Sequence, residues 1–344
     1  MSHQLIIKKI YRELSLISKN FKNKTIYNYL IRVQIAINIF SNMEKLMFEK
    51  NINYNKFAKN VKNLRKISGH SKYNTKIKIY KKKLSLKSLK DSNQEVFYNV
   101  WKNFDKNNFK KDGVNLLKKR LIMNKIDYKD LIKDKVCVDA GCGSGRYSYA
   151  LIKLGAKKVL AFDKNSDSIK LAKSRFNNSK LKFFVSNYPD QKIKKNSIDF
   201  IFSNGVIHHD KNINNQLKKL NHILKSGGKM WVYVNGKMGL FEKIVETCKD
   251  ILGDVRPELI INYLNIFIKN KNKIYFYLDY LLPTYFWQKK EDFEKKLISN
   301  NFKIIKFLTK GIKTDQAQIL HNNPSWKDKV NFFEGQLKYI VSKI

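Results

Sequence analysis

Hydrophobic positions over residues 1–67 recur with a helical period. Ile7, Ile10, Leu14 and Ile17 fall on one face at i, i+3, i+7 and i+10. Residues 26–48 are apolar almost all round, with Leu30, Val33, Ile37, Phe40 and Met47 among them, as in a helix buried on more than one side. Phe57, Val61 and Leu64 mark a third helix. The pattern predicts a helical N-terminal domain over 1–67 and a basic linker over 68–93, which opens SGHSKYNTK and carries Lys81-Lys82-Lys83.

The period changes near Gln94. Phe97, Tyr98, Trp101 and Phe104 cluster ahead of a predicted helix at 114–124. Short apolar runs then alternate with amphipathic stretches. Strands are expected at 136–139, 158–163, 181–186, 198–203 and 229–234. Between them, a helix ends near Gly155, another starts with Ser166 as its N-cap, and a third covers 212–225. Alternating strand and helix imply a parallel sheet covered on both faces. Residues 236–289 break the alternation with long apolar and aromatic runs, LIINYLNIFI at 259–268, IYFYLDYLL at 274–282 and TYFW at 284–287. An insertion there leaves the sheet at its ligand edge, so it reads as a helical cap with an aromatic inner face that covers the acceptor pocket, the N-terminal helices or a second subunit, the first being preferred. A helix at 290–299 and a strand at 302–308 resume the core, and 309–344 reads as a C-terminal tail with a packed ending.

Candidate chemistry starts in the stretch VCVDAGCGSGR at 136–146. An apolar run ends in Asp139, and Gly141, Gly143 and Gly145 follow on alternate positions before a helix pattern begins. Glycine takes positive φ without steric cost and lets a ligand lie on the backbone. The helix start adds unpaired N–H groups facing the crevice. The dinucleotide fingerprint G-x-G-x-x-G would need a sixth-position glycine for helix–strand packing, and Arg146 stands there, which argues against NAD. A second apolar run, Val159 to Phe162, ends in Asp163, a carboxylate placed to hold two ribose hydroxyls.

The order VDAGCGSG, LAFD, SIDFIFSNGVIHH and LKSGGKMWVYV resembles the class I S-adenosylmethionine-dependent methyltransferases, closest to the broad group acting on small molecules and lipids. The resemblance covers 95–235 well and 290–308 loosely, and does not reach 1–90. It implies a Rossmann-like, doubly wound, mostly parallel α/β sheet over 94–308, S-adenosylmethionine as cofactor, and methyl transfer by in-line displacement. By that resemblance Asp139, Gly141, Gly143 and Gly145 form the first cofactor loop, and Asp163 holds the ribose. Asn187 stands where the family often has an acidic residue near the adenine. Ser203 and Asn204 lie beside the methionine end, and His208 and His209 follow as candidates for a catalytic base, with no choice between them. The cluster at 97–104 reads first as core packing, and by the resemblance it is alternatively a segment that closes over the cofactor.

Composition then adjusts the picture. The formal charge is +42, a field that favours nucleic acid, anionic membrane or acidic substrates. Of the 70 basic residues, however, only seven are Arg, the preferred fork for phosphate. Lysine spread along the whole chain reads as solvated background. The acceptor expected is therefore a small or lipid-like molecule served by the aromatic insertion. The alternatives are an RNA or other nucleic-acid acceptor, and a binding protein that keeps the cofactor and has lost the chemistry. The amino-group-modifier motif N-P-P-Y is absent; SNGV stands in its place. Cys137, Cys142 and Cys248 form no C-x-x-C pair, so no disulfide framework or zinc site is expected and a reducing, cytoplasmic setting fits. The start lacks a secretory pattern, and no run of about 18 apolar residues suggests a membrane span, although aromatics beside lysines suit a membrane surface.

Overall fold

A computed structural model describes residues 3–21, 29–48, 53–69, 106–187 and 193–344. The expected linker at 68–93 and the aromatic cluster at 97–104 lie almost wholly outside them. The chain divides into two compact units, Met1–Ser92 with Gly239–Pro283, and Asn93–Met238 with Thr284–Ile344.

The second unit is built on seven strands: β1 (Val136–Ala140), β2 (Lys158–Asp163), β3 (Leu181–Val185), β4 (Ile198–Asn204), β5 (Leu224–Asn235), β6 (Phe302–Phe307) and β7 (Gln336–Lys343). Their order is β3-β2-β1-β4-β5-β7-β6. β1 to β5 pair in parallel, and β7 runs antiparallel to both β5 and β6. The direction of winding reverses between β1 and β4, and a crevice opens at the carboxyl ends of strands at such a switch.

Both faces of the sheet are covered, which is why its central strands read as near-continuous apolar runs. On one face Cys137, Phe200, Phe202, Trp231 and Ile340 pack with Leu117, Leu151 and Ile169 from the helices Lys106–Met123, Arg146–Lys153 and Ser166–Arg175. On the other, Val138, Ile201, Met230, Tyr339 and Val341 pack with Leu217, Leu220 and Phe293 from the helices Ile213–Ile223 and Lys290–Ser299. The positions predicted for β1 to β4 hold within a residue or so. β5 starts earlier than expected, because the preceding helix stops at Ile223 and the strand passes through Gly227 at φ +72°. Asn165, not Ser166, caps the helix Ser166–Arg175, its side chain accepting from Ser168 N.

The expected tail requires correction. Residues 336–343 form β7, a central element of the sheet lying between β5 and β6. Its alternation sends Leu337, Tyr339 and Val341 to one face and Lys338 and Ile340 to the other.

The first unit is helical. His3–Phe21 buries Ile10, Leu14 and Ile17, Tyr29–Phe48 buries Val33, Ile37, Phe40 and Met47, and Tyr54–Gly69 buries Phe57 and Val61. Leu30 stays exposed. The insertion contributes the helices Gly239–Leu252, Pro257–Phe267 and Lys271–Leu281 to the same unit. Phe40 meets Phe276 and Tyr277 at ring distances of 5.5 and 4.7 Å, and Arg32 donates to Ile251 O and Asp254. The aromatic side chains expected to line a substrate cap thus serve, at Phe276 and Tyr277, the core shared with the N-terminal helices. Residues 284–288 belong to the sheet unit instead.

Candidate functional site

The turn after β1 is fixed at both ends. Gly141 N and Cys142 N both donate to Phe162 O at 2.8 Å, resting the turn on the end of β2, and Gly145 N donates to Cys142 O. Gly141, Gly143 and Gly145 have φ of +76°, +51° and +86°, so each takes the left-handed conformation glycine permits. Gly141 is also sterically required. A Cβ there would meet the Val206 side chain on the turn that follows β4. The two turns therefore touch across the mouth of the crevice between β1 and β4.

Asp163 braces this arrangement. Its carboxylate accepts from Gly143 N at 2.8 Å and from Asn165 N at 2.9 Å. Two oxygens offer about four acceptor sites, so two backbone donors leave capacity for hydroxyl donors. Burial pushes its pKa up, opposed by those two N–H groups. Asp139 is deeper. Ser148 Oγ donates to it at 2.6 Å, and burial lifts its pKa to about 7, with the Asp163 charge adding to the rise. Asp139 thereby ties β1 to the helix Arg146–Lys153. Asn187 is exposed just past β3. Asn204 Oδ1 accepts from Trp231 Nε1 at 3.1 Å. Among the described residues, Ser144 Oγ and Ser203 Oγ are buried without a hydrogen-bond partner. Cys142 is buried in the turn with its thiol pushed well up by burial, which leaves no nucleophilic thiolate.

The His pair sits on the 3₁₀ turn Ile207–His209, on the β4 wall of the crevice. The structure separates the two rings. His208 is buried, and its Nδ1 accepts from Asn235 N at 2.7 Å. His209 is half-buried, with Nδ1 2.8 Å from Thr284 O. The segment after Thr284 wraps around them: Phe286 N donates to His208 O at 2.8 Å, and the Tyr285 ring lies 5.2 Å from His208 and 4.8 Å from His209.

One buried charged cluster did not stand out in the sequence. Arg120 forks onto Asp315 at 2.9 and 2.7 Å, and Lys338 stands 3.6 Å from the same carboxylate. Arg120 and Arg146 both donate to Tyr147 OH, at 3.4 and 3.0 Å, and Lys338 lies 5.2 Å from the centre of the Tyr233 ring. Burial, with Arg120 alongside, lowers the Lys338 pKa to about 7. Burial alone would raise the Tyr147 phenol, but Arg146 and Arg120 pull it below its usual range. Tyr147 also packs on Phe202 of β4 at a ring distance of 5.0 Å, which sets this cationic group against the sheet. The positive φ of Gly205, which brings the backbone close to the Tyr233 ring, joins it to the β4 turn.

Residues 138–232 match the family model described as a methyltransferase domain. The stretch runs from β1 to β5 and contains both turns of the crevice. The domain belongs to the class I S-adenosylmethionine-dependent methyltransferases. Curated relatives include the tRNA U34 carboxymethyltransferases of Helicobacter acinonychis, 31% identical over 104 residues, and Cellvibrio japonicus, 27% identical over 118 residues. These alignments cover 29% and 31% of this chain and only 40% and 36% of the relatives. Solved structures similar to the chain include a putative methyltransferase in complex with the Haloferax volcanii Trm112 methyltransferase activator, with TM-score 0.48 and 13% identity, covering 74% of this chain and 99% of that one. A putative S-adenosylmethionine-dependent methyltransferase from Listeria monocytogenes has TM-score 0.44 and 16% identity, covering 66% and 99%.

S-adenosylmethionine is the cofactor of this methyltransferase domain, and the residues present suit it. The glycine turn offers bare backbone, Asp163 keeps acceptor capacity, and two buried hydroxyls await partners. When bound, the cofactor supplies a methyl group already activated by a positive sulfur. The domain's own residues must hold the donor, orient the acceptor and exclude water.

Proposed function

We propose that the sheet unit transfers the activated methyl group to an RNA acceptor. The observation that carries the reaction is the β1 turn. Three left-handed glycines are braced by a carboxylate that retains acceptor sites, beside buried hydroxyls without protein partners. In this reading Gly141, Gly143 and Gly145 let the methionine portion lie on the backbone, and Asp163 binds the ribose. Asp139 and Ser203 approach the methionine end, and Asn187 meets the adenine through its amide. Asn204, already engaged with Trp231, acts as a spacer at the end of β4.

Two facts favour RNA over the small or lipid-like acceptor. The +42 charge supplies a field for a polyanion. The curated relatives reported above are named for tRNA. A lipid-like acceptor would need the aromatic insertion to line its pocket, and Phe276 and Tyr277 are committed to Phe40 within the helical unit. The test is label transfer from methyl-labelled S-adenosylmethionine, compared across total tRNA, a total lipid extract and a small-metabolite extract. Label in tRNA, reduced as salt rises, is the expected result. Label in the lipid fraction alone restores the lipid-like acceptor, and protein that binds S-adenosylhomocysteine but labels nothing is the binding-only alternative.

A further inference from the structure

We infer that a lysine-lined pocket at the far end of the sheet from the crevice holds phosphate groups of the RNA acceptor's backbone. This rests on the RNA reading above and adds to it a second contact surface.

The pocket lies where β4, β5 and β6 begin and β7 ends, and it has a volume of about 490 Å³. Lys195, Lys218 and Lys343 line it with His222, and its other lining residues are Asn and Ser. No carboxylate is among them. Lysines scattered over a solvated surface would not be held as Lys343 is. Its Nζ donates to Asn221 O at 2.7 Å, to Leu224 O at 2.9 Å and to Asn196 Oδ1 at 2.9 Å. All three acceptors are uncharged, so the ammonium is fixed in place without being neutralised. The walls are tied together as well. Asn196 N donates to His222 O at 3.2 Å, and Asn221 Nδ2 donates to Asn301 O at 3.2 Å. These bonds join the segment before β4, the end of the helix Ile213–Ile223 and the turn before β6. Burial, and then the Lys195 charge, lower the Lys343 pKa. An anion seated between the two lysines would offset their repulsion.

A concavity lined by cations of one sign focuses the field on an anion. The amide side chains around it carry both donors and acceptors, which suits ribose hydroxyls and base edges beside a phosphate. β4 spans Ile198–Asn204 between the pocket and the crevice, a separation of roughly 20 Å at the rise of a strand. A small methyl acceptor could not touch both ends, whereas an RNA backbone repeats its charge along its length and can.

Two experiments on the full chain test this. In the first, lysine amines are acetylated with and without total tRNA, and with inorganic phosphate against sodium chloride at equal ionic strength, and the products are read by mass spectrometry. Lys195 and Lys218 are expected to be protected by tRNA. Lys173 and Lys182, exposed on the β3 edge, are not. Equal modification of all four lysines with either ligand overturns the inference. Protection by inorganic phosphate and not by tRNA assigns the pocket to a free phosphate compound and overturns its RNA role. The second experiment measures methyl transfer to total tRNA. Lys195→Gln with Lys218→Gln should raise the KM for tRNA about tenfold and make the salt dependence of binding shallower by about two in the log–log slope. Turnover at saturating tRNA and S-adenosylhomocysteine affinity should not change. Lys173→Gln with Lys182→Gln removes the same charge and should stay within about threefold of the parent. Equal losses in the two pairs overturn the inference in favour of a diffuse field. A parent protein that labels no RNA removes the acceptor reading, and the tRNA footprint still decides the pocket.

Discussion

Replacing Gly141 by Ala tests whether the two turns of the crevice form one packed unit. An L-residue at φ +76° costs ~1–2 kcal/mol from its own backbone. The new Cβ would press on Val206 Cγ1 and lie 2.5 Å from Val206 Cγ2, where contacting carbons prefer ~3.5–4.0 Å. The turn cannot easily retreat, because Gly141 N is held to Phe162 O at 2.8 Å. Forcing a methyl into such packing costs ~1–3 kcal/mol, so the total is ~2–5 kcal/mol. Val206→Ala makes room, so the double variant should recover the packing part and leave the backbone part, a coupling of ~1–3 kcal/mol. Of the four tryptophans, Trp231, Trp287 and Trp326 are among the described residues, and all three lie in the sheet unit. Urea unfolding followed by tryptophan fluorescence therefore reports that unit. Gly141→Ala as stable as the parent, or a double variant no better than Gly141→Ala, would refute the contact.

Asp139 gives a pH test. Its folded pKa, about 7, is above the ordinary carboxylate value of 3.8, so the folded protein holds a proton the unfolded chain releases. That contribution is complete below about pH 4 and is lost as pH rises through 7, to the extent of ~4 kcal/mol. Asp139→Asn should therefore remove a fall in stability between pH 4 and 8, and parallel melting curves for the two proteins would contradict it. Asp315→Asn leaves Arg120 and Lys338 buried without their carboxylate and should destabilise the sheet unit by ~3–5 kcal/mol, whereas Asp315→Asn with Lys338→Met should recover part of it. A loss below ~1 kcal/mol in urea unfolding would mean the group is solvated or otherwise compensated.

What could be read from the chain was local. β1, β2 and β4 announced themselves as apolar runs ending in Asp139, Asp163 and Asn204, and the glycine spacing marked the turn. Long-range pairing was not legible. Leu337, Tyr339 and Val341 alternate as a strand should, but nothing local says that β7 enters between β5 and β6. The aromatic insertion announced that it must cover something, and only the fold shows Phe40 as a partner of Phe276 and Tyr277. The ring partners of His208 and His209, Asn235 and Thr284, lie 27 and 75 residues away in the chain. The Arg120–Asp315 pair spans 195 residues, so neither partner stood out among so many charges. A single Lys at an inward position of an apolar strand, as at 338, was the available signal.

We propose that the β1 turn and Asp163 together form an S-adenosylmethionine site. Titration calorimetry with S-adenosylhomocysteine and with NAD, on the full chain and on Asp163→Ala, tests it most directly. Saturable heat is expected with S-adenosylhomocysteine, none with NAD, and a loss of ~1–3 kcal/mol in Asp163→Ala, where the ribose loses its charged acceptor. Tight NAD binding with no S-adenosylhomocysteine heat would contradict it.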